Sequence, residues 1–168
     1  MRDLVAASLA LIERVPHRLV FVGTGPLADE LRAAAGEHPH IAVRGRLDRA
    51  GVRAELQAAH ATVLPTRVND GAREAAGLVL LESQACATPV VAYRSGGTPE
   101  MLRDGQTGHL VDEGSIAALT EAIEAVLALS PAAHRAMGQA ARDFVVAERS
   151  LAASAEQLAA LYRELAPR

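Results

Sequence analysis

Lysine and tryptophan are absent from this chain, which carries one cysteine, two phenylalanines and two tyrosines among its 168 residues. The lone Cys86 excludes an internal disulfide, and its apolar neighbours make it a small buried thiol rather than a reactive one, in keeping with a reducing cytoplasm. With so few aromatic rings, the core has to be assembled from Leu, Val, Ile and closely packed Ala. A chain of this length can still form one well-cored domain, burying roughly 70% of its unfolded surface. No apolar run approaches the roughly 18 residues of a membrane span. The start, Met1-Arg2-Asp3-Leu4, lacks the charged and apolar regions of a secretion signal. A net charge of -3 and a pI near 6.1 provide no basic face for nucleic acid or an anionic membrane. Any anion site has to be local.

What is present is regular alternation. Apolar residues recur at helical spacing over 4–15, and Pro16 stops that helix. Short, β-branched runs at 18–23, 40–44, 61–65, 88–92 and 108–111 read as strands. Between them, Pro26 opens a helix to about 35, Asp48 caps one to 59, and 78–87 and 98–103 are helical. Residues 66–73 are polar, contain Asn69-Asp70-Gly71 and read as a loop. From 115 onward the pattern is helical, in segments 116–129, 131–147 and 151–165. In the last of these, Leu151, Leu158, Leu161, Tyr162 and Leu165 form an apolar stripe expected to cover the sheet or a partner. Strand-helix alternation with short links predicts an α/β fold, a Rossmann-like three-layer α/β/α arrangement around a mainly parallel sheet, with 1–168 as a single domain. Ligands then bind at the carboxyl ends of the strands.

The chemistry-bearing residues fall in one stretch. Glu74 and Glu82 lie eight apart within apolar sequence, and each needs a hydroxyl, amide or cation to offset its partial desolvation. Gly77 precedes the helix, so the amides of Gly77 and Leu78 point out of its N-terminus with no acceptor inside it. The missing Cβ lets an anion such as a diphosphate approach them. One turn deeper, Glu82 can accept bonds from vicinal ribose hydroxyls, and Glu74 from a sugar beyond the phosphates. Surface helices also carry glutamate, so spacing alone leaves a solvated face as the alternative.

The wider pattern resembles glycosyltransferase family four. It is carried by Val22-Gly-Thr-Gly-Pro26, Val43-Arg-Gly-Arg46, Val63-Leu-Pro-Thr66 and Glu74-x-x-Gly-Leu-Val-Leu-Leu-Glu82. Ala85-Cys-x-Thr-Pro-Val-Val91, Gly96-Gly-Thr-Pro-Glu100 and Asp104-Gly-x-Thr-Gly108 follow in order, and the likeness runs from Met1 to about Tyr162. The resemblance implies the C-terminal, donor-binding half of a GT-B enzyme. It implies a retaining, metal-independent transfer of a hexose from a nucleoside diphosphate sugar, with no other cofactor, as in polysaccharide or glycolipid assembly. Glu74 takes the place of the acid that contacts the donor sugar, the catalytic position, and Glu82 that of the ribose ligand. Gly77, Leu78 and Ala76 border the phosphates and sugar, while Arg46 and Leu47 match the stretch beside the nucleobase. Gly25 and Thr66 complete the donor-binding set.

Three departures follow from the comparison with the family pattern. Ala75 and Ala76 stand where a glycine and a bulkier residue are usual, which leaves the donor sugar open. Ala87 replaces a common glycine, a change that a helical backbone would tolerate. The family's diphosphate-clamping Arg and Lys have no counterpart, since Arg2 is a poor substitute by position. The acceptor-binding N-terminal domain is therefore expected to be missing and the chain inactive by itself. Other readings are a nucleotide-sugar binding module without turnover and a GT-B epimerase. Gly23-Thr24-Gly25 does not make a dinucleotide motif, because Pro26 follows and the third glycine is absent. His60 and His109 lack metal-ligand spacing, and Arg67, Asn69, Asp70 and Arg73 belong either to the donor site or to a solvated loop.

Overall fold

The computed structural model describes residues 1–68 and 75–165, so Glu74, Asn69, Asp70 and Arg73 lie outside the described residues. In chain order it runs α1 (Arg2–Leu11), β1 (Leu19–Phe21), α2 (Ala28–Glu37), β2 (Ile41–Val43), α3 (Arg49–Ala58) and β3 (Thr62–Leu64). There follow α4 (Leu78–Ala85), β4 (Val90–Tyr93), a single 3-10 turn (Thr98–Glu100) and β5 (Gly108–Val111). Then come α5 (Ile116–Leu127), α6 (Pro131–Phe144), a π-helical turn (Val145–Arg149) and α7 (Leu151–Leu165).

All strand pairings are parallel, and helices lie on both faces, as the alternation predicts. The strands form two ladders rather than one continuous sheet, with β1 beside β2 and β3-β4-β5 in sequence order. Side chains alternate across each strand, so the two faces carry different sets. Phe21, Ile41, Val91 and Tyr93 are buried beneath α1 and α5, with Leu4, Ala7, Leu11, Leu119 and Ile123 closing that core. Leu80 of α4 packs on the opposite face with Val90, Ala92 and Leu110. With β4 buried on both faces, its apolar run Val90-Val91-Ala92-Tyr93 is unbroken by a polar residue.

Local signals place the helix ends. Asp48 Oδ1 accepts from Gly51 N at 2.7 Å at the start of α3, as its position predicts. Ser115 and Ser130 accept from Ala118 N and Ala133 N, both at 3.2 Å, at the starts of α5 and α6. Helix α6 ends three residues before the expected limit, where Phe144 is held between the guanidinium groups of Arg103 and Arg149, 5.4 and 5.2 Å from its ring centre.

Two expectations need correction. Ala87 is not helical: its φ is +60°, in the left-handed region. It occupies the C′ position of a Schellman motif, in which Thr88 N donates to Ser83 O at 3.1 Å and Ala87 N to Gln84 O at 2.9 Å. Glycine is the usual residue there because a Cβ is strained at positive φ. Of the two alternatives for the stripe on α7, the sheet is excluded, since Leu151 is 91% exposed and Tyr162 67%. The helix continues from the π-helical turn away from the core, whose buried faces are already occupied by α1, α4 and α5. Cys86, expected to be buried, is half-buried at the end of α4.

Candidate functional site

In a parallel arrangement every connection that leaves a strand opens on the same edge. Residues 22–25, 44–47, 65–68, 94–97 and 112–114 therefore border one side of the domain. The first two of these connections touch: Gly23 N donates to Gly45 O at 2.7 Å, with both glycines at positive φ. Beyond them, Gly25 and Arg46 are exposed and Leu47 is half-buried. Thr66 is half-buried after Pro65 at the end of β3.

The most constrained point is Gly77, the N-cap of α4, at φ 66° and ψ 48°. A Cβ there would sit 3.0 Å from Leu64 Cδ2, 3.3 Å from Leu80 Cδ1 and 3.6 Å from Thr98 Cγ2. Only glycine satisfies both the conformation and the space. The tight entry sets the start of α4 against Leu64 at the end of β3, leaving Leu78 65% exposed at the helix terminus. Glu82, one turn on, is also exposed, and its carboxylate makes no hydrogen bond or ion pair among the described residues. An exposed carboxylate one turn into a helix can accept hydroxyl hydrogens near a helix start whose field favours an anion.

The Gly96-Gly97 turn supports this entry from the next strand. A Cβ on Gly97 would fall 2.2 Å from Ala75 O, so the turn lies directly against the residues before α4. Thr98 Oγ1 locks the turn, donating to Tyr93 O at 2.6 Å and accepting from Ser95 N at 3.1 Å. Ser95 Oγ is buried with no hydrogen-bond partner among the described residues.

A cluster that sequence reasoning missed borders the same edge. Asp3 Oδ2 accepts from Tyr93 OH at 2.8 Å and from Arg67 Nε at 2.5 Å, tying α1 to the ends of β4 and β3. Arg67 thus neither stands free in solvent nor points at will into the donor edge. Burial, then the Asp3 hydrogen bond, pushes the Tyr93 phenol up to about 12, and the same carboxylate raises Arg67. The signal available was an acid in the first turn of an apolar helix and a tyrosine ending a buried strand, 90 positions apart.

Gly25, Arg46 and Leu47 stand on the β1-β2 ladder, and among the described residues no hydrogen bond or ion pair joins them to α4. Surface depressions of about 300 Å³ between α1 and α2 and about 450 Å³ beside Arg103 and Phe144 lie away from all of these residues.

The parallel strands with helices on both faces define a Rossmann-like α/β/α domain. The chain belongs to the group 1 glycosyl transferases, whose family description, Glycosyl transferases group 1, matches residues 1–129. It is 36% identical over 149 residues to the GDP-mannose-dependent alpha-(1-6)-phosphatidylinositol monomannoside mannosyltransferase of Mycolicibacterium smegmatis, covering 85% of this chain and 39% of that protein. Sucrose-phosphate synthase from Thermosynechococcus elongatus superposes with a TM-score of 0.78 at 30% identity, over 97% of this chain and 41% of the other. HepE from Anabaena, solved with UDP, gives 0.79 at 21% identity, over 98% of this chain and 45% of the other, and shares the fold. The chain thus spans about two fifths of the length of these relatives.

Proposed function

We propose that this chain is the donor-binding half of a retaining, metal-independent glycosyltransferase that moves a hexose from a nucleoside diphosphate to a glycan or lipid acceptor. The observation that carries this reading is the left-handed Gly77 cap, which sets the N-terminus of α4 at the strands' carboxyl edge with exposed Glu82 one turn away. A diphosphate seated there gains roughly 0.3 to 2 kcal/mol from the helix field alone. During transfer the bond from the anomeric carbon to the distal phosphate oxygen breaks, the acceptor oxygen bonds to that carbon and loses its proton, and charge builds on the departing diphosphate. The amides of Gly77 and Leu78 meet that charge, and such a donor contributes roughly 2.7 to 4 kcal/mol to the transition state.

In this assignment Glu82 holds the ribose hydroxyls and Glu74 the donor sugar. Ala76 and Thr66 line the phosphate and sugar side, and Arg46, Leu47 and Gly25 the base side. The reaction takes place in the cytoplasm, with the partner domain supplying the acceptor site and any contact with a membrane surface. Calorimetric titration with UDP, GDP and ADP tests the site, and Glu82→Ala is expected to weaken the nucleotide that binds at least about tenfold. Failure of all three to bind, or unchanged affinity in the variant, refutes it.

A second reading is nucleotide-sugar binding without turnover, and a third is a GT-B epimerase. Incubation with donor and acceptor separates the possibilities: transfer by the chain alone excludes a binding module, and a changed sugar still on the nucleotide indicates an epimerase.

A further inference from the structure

We propose that the base side of the donor site selects guanine, with the Arg46 guanidinium donating to O6 and N7 of the ring and the free oxygen of Asp48 accepting from its N1–H and 2-amino group. This selection rests on the donor-binding reading and fixes which base the donor carries. The connections after β1 and β2 form the rim on which it depends. Gly23 N donates to Gly45 O at 2.7 Å, which pins the two connections together at the carboxyl edge. A Cβ added at Gly23, Gly25 or Gly45 would have no atom within 4 Å. Residues without side chains thus leave open space over bare backbone, where a planar ring can lie close.

The side chains that follow this floor divide into engaged and free groups. Arg44 is engaged, with Nε 3.2 Å from Glu55 Oε1 of α3. Leu47 is half-buried and turns back on α3, its Cβ 3.2 Å from the position a Cβ on Gly51 would take. On either side of it, Arg46 and Asp48 are exposed. The Arg46 guanidinium makes no hydrogen bond or ion pair among the described residues. Asp48 commits Oδ1 to the α3 cap, accepting from Gly51 N at 2.7 Å, while its Oδ2 accepts from nothing among the described residues. A donor fork and an acceptor oxygen therefore stand unused beside the glycine floor.

A guanidinium only donates and a carboxylate only accepts, so the pair calls for a ring with two acceptors on one edge and donors on the next. Guanine has this pattern, since O6 and N7 both accept while N1–H and the 2-amino group both donate. Adenine opposes it on both edges: its 6-amino group would donate toward the fork, and its N1 would accept toward the carboxylate. Uracil is intermediate, because O4 offers the fork a single acceptor and N3–H offers the carboxylate a single donor. A bidentate arginine contact to O6 and N7 discriminates against a wrong base by roughly 5- to 150-fold. The expected order of affinity is guanine, uracil, adenine. A charge that served only the phosphates would favour none of them, since all three carry the same diphosphate.

Calorimetric titration with GDP, UDP and ADP is expected to show GDP binding at least about tenfold more tightly than UDP, with ADP weakest. 7-Deaza-GDP, which keeps O6 and lacks the N7 acceptor, should bind at least about fivefold more weakly than GDP. Arg46→Gln should weaken GDP at least about tenfold and leave UDP within about threefold of its affinity for the unaltered chain. Asp48→Asn keeps the helix cap, where Asn serves as well as Asp. It places an N–H where the free oxygen stood, so this variant should prefer xanthosine diphosphate, which carries an accepting O2 in place of the 2-amino group. GDP no tighter than UDP or ADP overturns the selection, as does an Arg46→Gln change that weakens all nucleotides by the same factor, or an Asp48→Asn variant that still prefers GDP. If no nucleotide binds the unaltered chain, the donor-binding reading fails and the selection falls with it. Binding without preference for GDP leaves that reading standing and overturns the selection alone.

Discussion

Replacing Gly77 with alanine probes the entry to α4 and the ligand edge together. At φ 66° the new Cβ costs about 1 to 2 kcal/mol from left-handed strain alone. It also arrives 3.0 Å from Leu64 Cδ2 and 3.3 Å from Leu80 Cδ1, closer than ordinary contact. Overpacking costs about 1 to 3 kcal/mol in a well-packed core, and the lower end applies here because both neighbours are methyl groups at the ends of side chains. The total is about 2 to 3 kcal/mol, a large part of the roughly 5 to 15 kcal/mol that holds a domain together. At about 2 to 4 °C per kcal/mol for a chain of this size, the melting temperature should fall by about 5 to 10 °C. Urea unfolding followed by circular dichroism gives the energy directly. Gly25→Ala is the control, since Gly25 has no atom within 4 Å of an added Cβ and no positive φ. Its effect should stay within about 0.5 kcal/mol. If Gly77→Ala matches that control, the packed left-handed cap is not what shapes this helix entry.

Two further perturbations test the fold from other sides. Ala87→Gly should relieve about 1 to 2 kcal/mol of left-handed strain and return about 0.5 to 1 kcal/mol through the freer unfolded chain. The unfolding free energy from urea titration is expected to rise by a net of about 0.5 to 1 kcal/mol, and a fall contradicts the Schellman assignment. Burial, followed by the nearby His17 and His38, lowers His40 from its ordinary value of 6.5. The unfolded chain then binds more protons just below that value, so His40's contribution is complete above pH 6.5 and is lost as the pH falls toward its folded pKa. The difference in urea midpoint between about pH 7.5 and about pH 5.5 should shrink in His40→Asn, and an unchanged difference removes His40 from the acid response.

Much of the local structure was legible because it depends on neighbours in the sequence. Asp48 announces a helix start since a short oxygen side chain reaches amides two or three residues on, and β5 appears at the expected residues 108–111. Gly77 before an apolar helix marked the start of α4 for the same reason. Ala87 was misread because alanine favours a helix, and only the turn into a buried β4 forces it to positive φ. The Asp3–Tyr93–Arg67 cluster could not be read from spacing, since its members meet only when α1 crosses the ends of β3 and β4.

The sequence by itself determined the alternation of strands and helices and the cap at Asp48, because backbone sterics and local hydrogen bonds act over a few residues. Tertiary structure decided that the five strands form two ladders, that the α7 stripe faces solvent, and that an acid at position 3 holds an arginine at position 67. Those outcomes depend on which edges find partners and which apolar faces are already covered, and neither is written within reach of a single element.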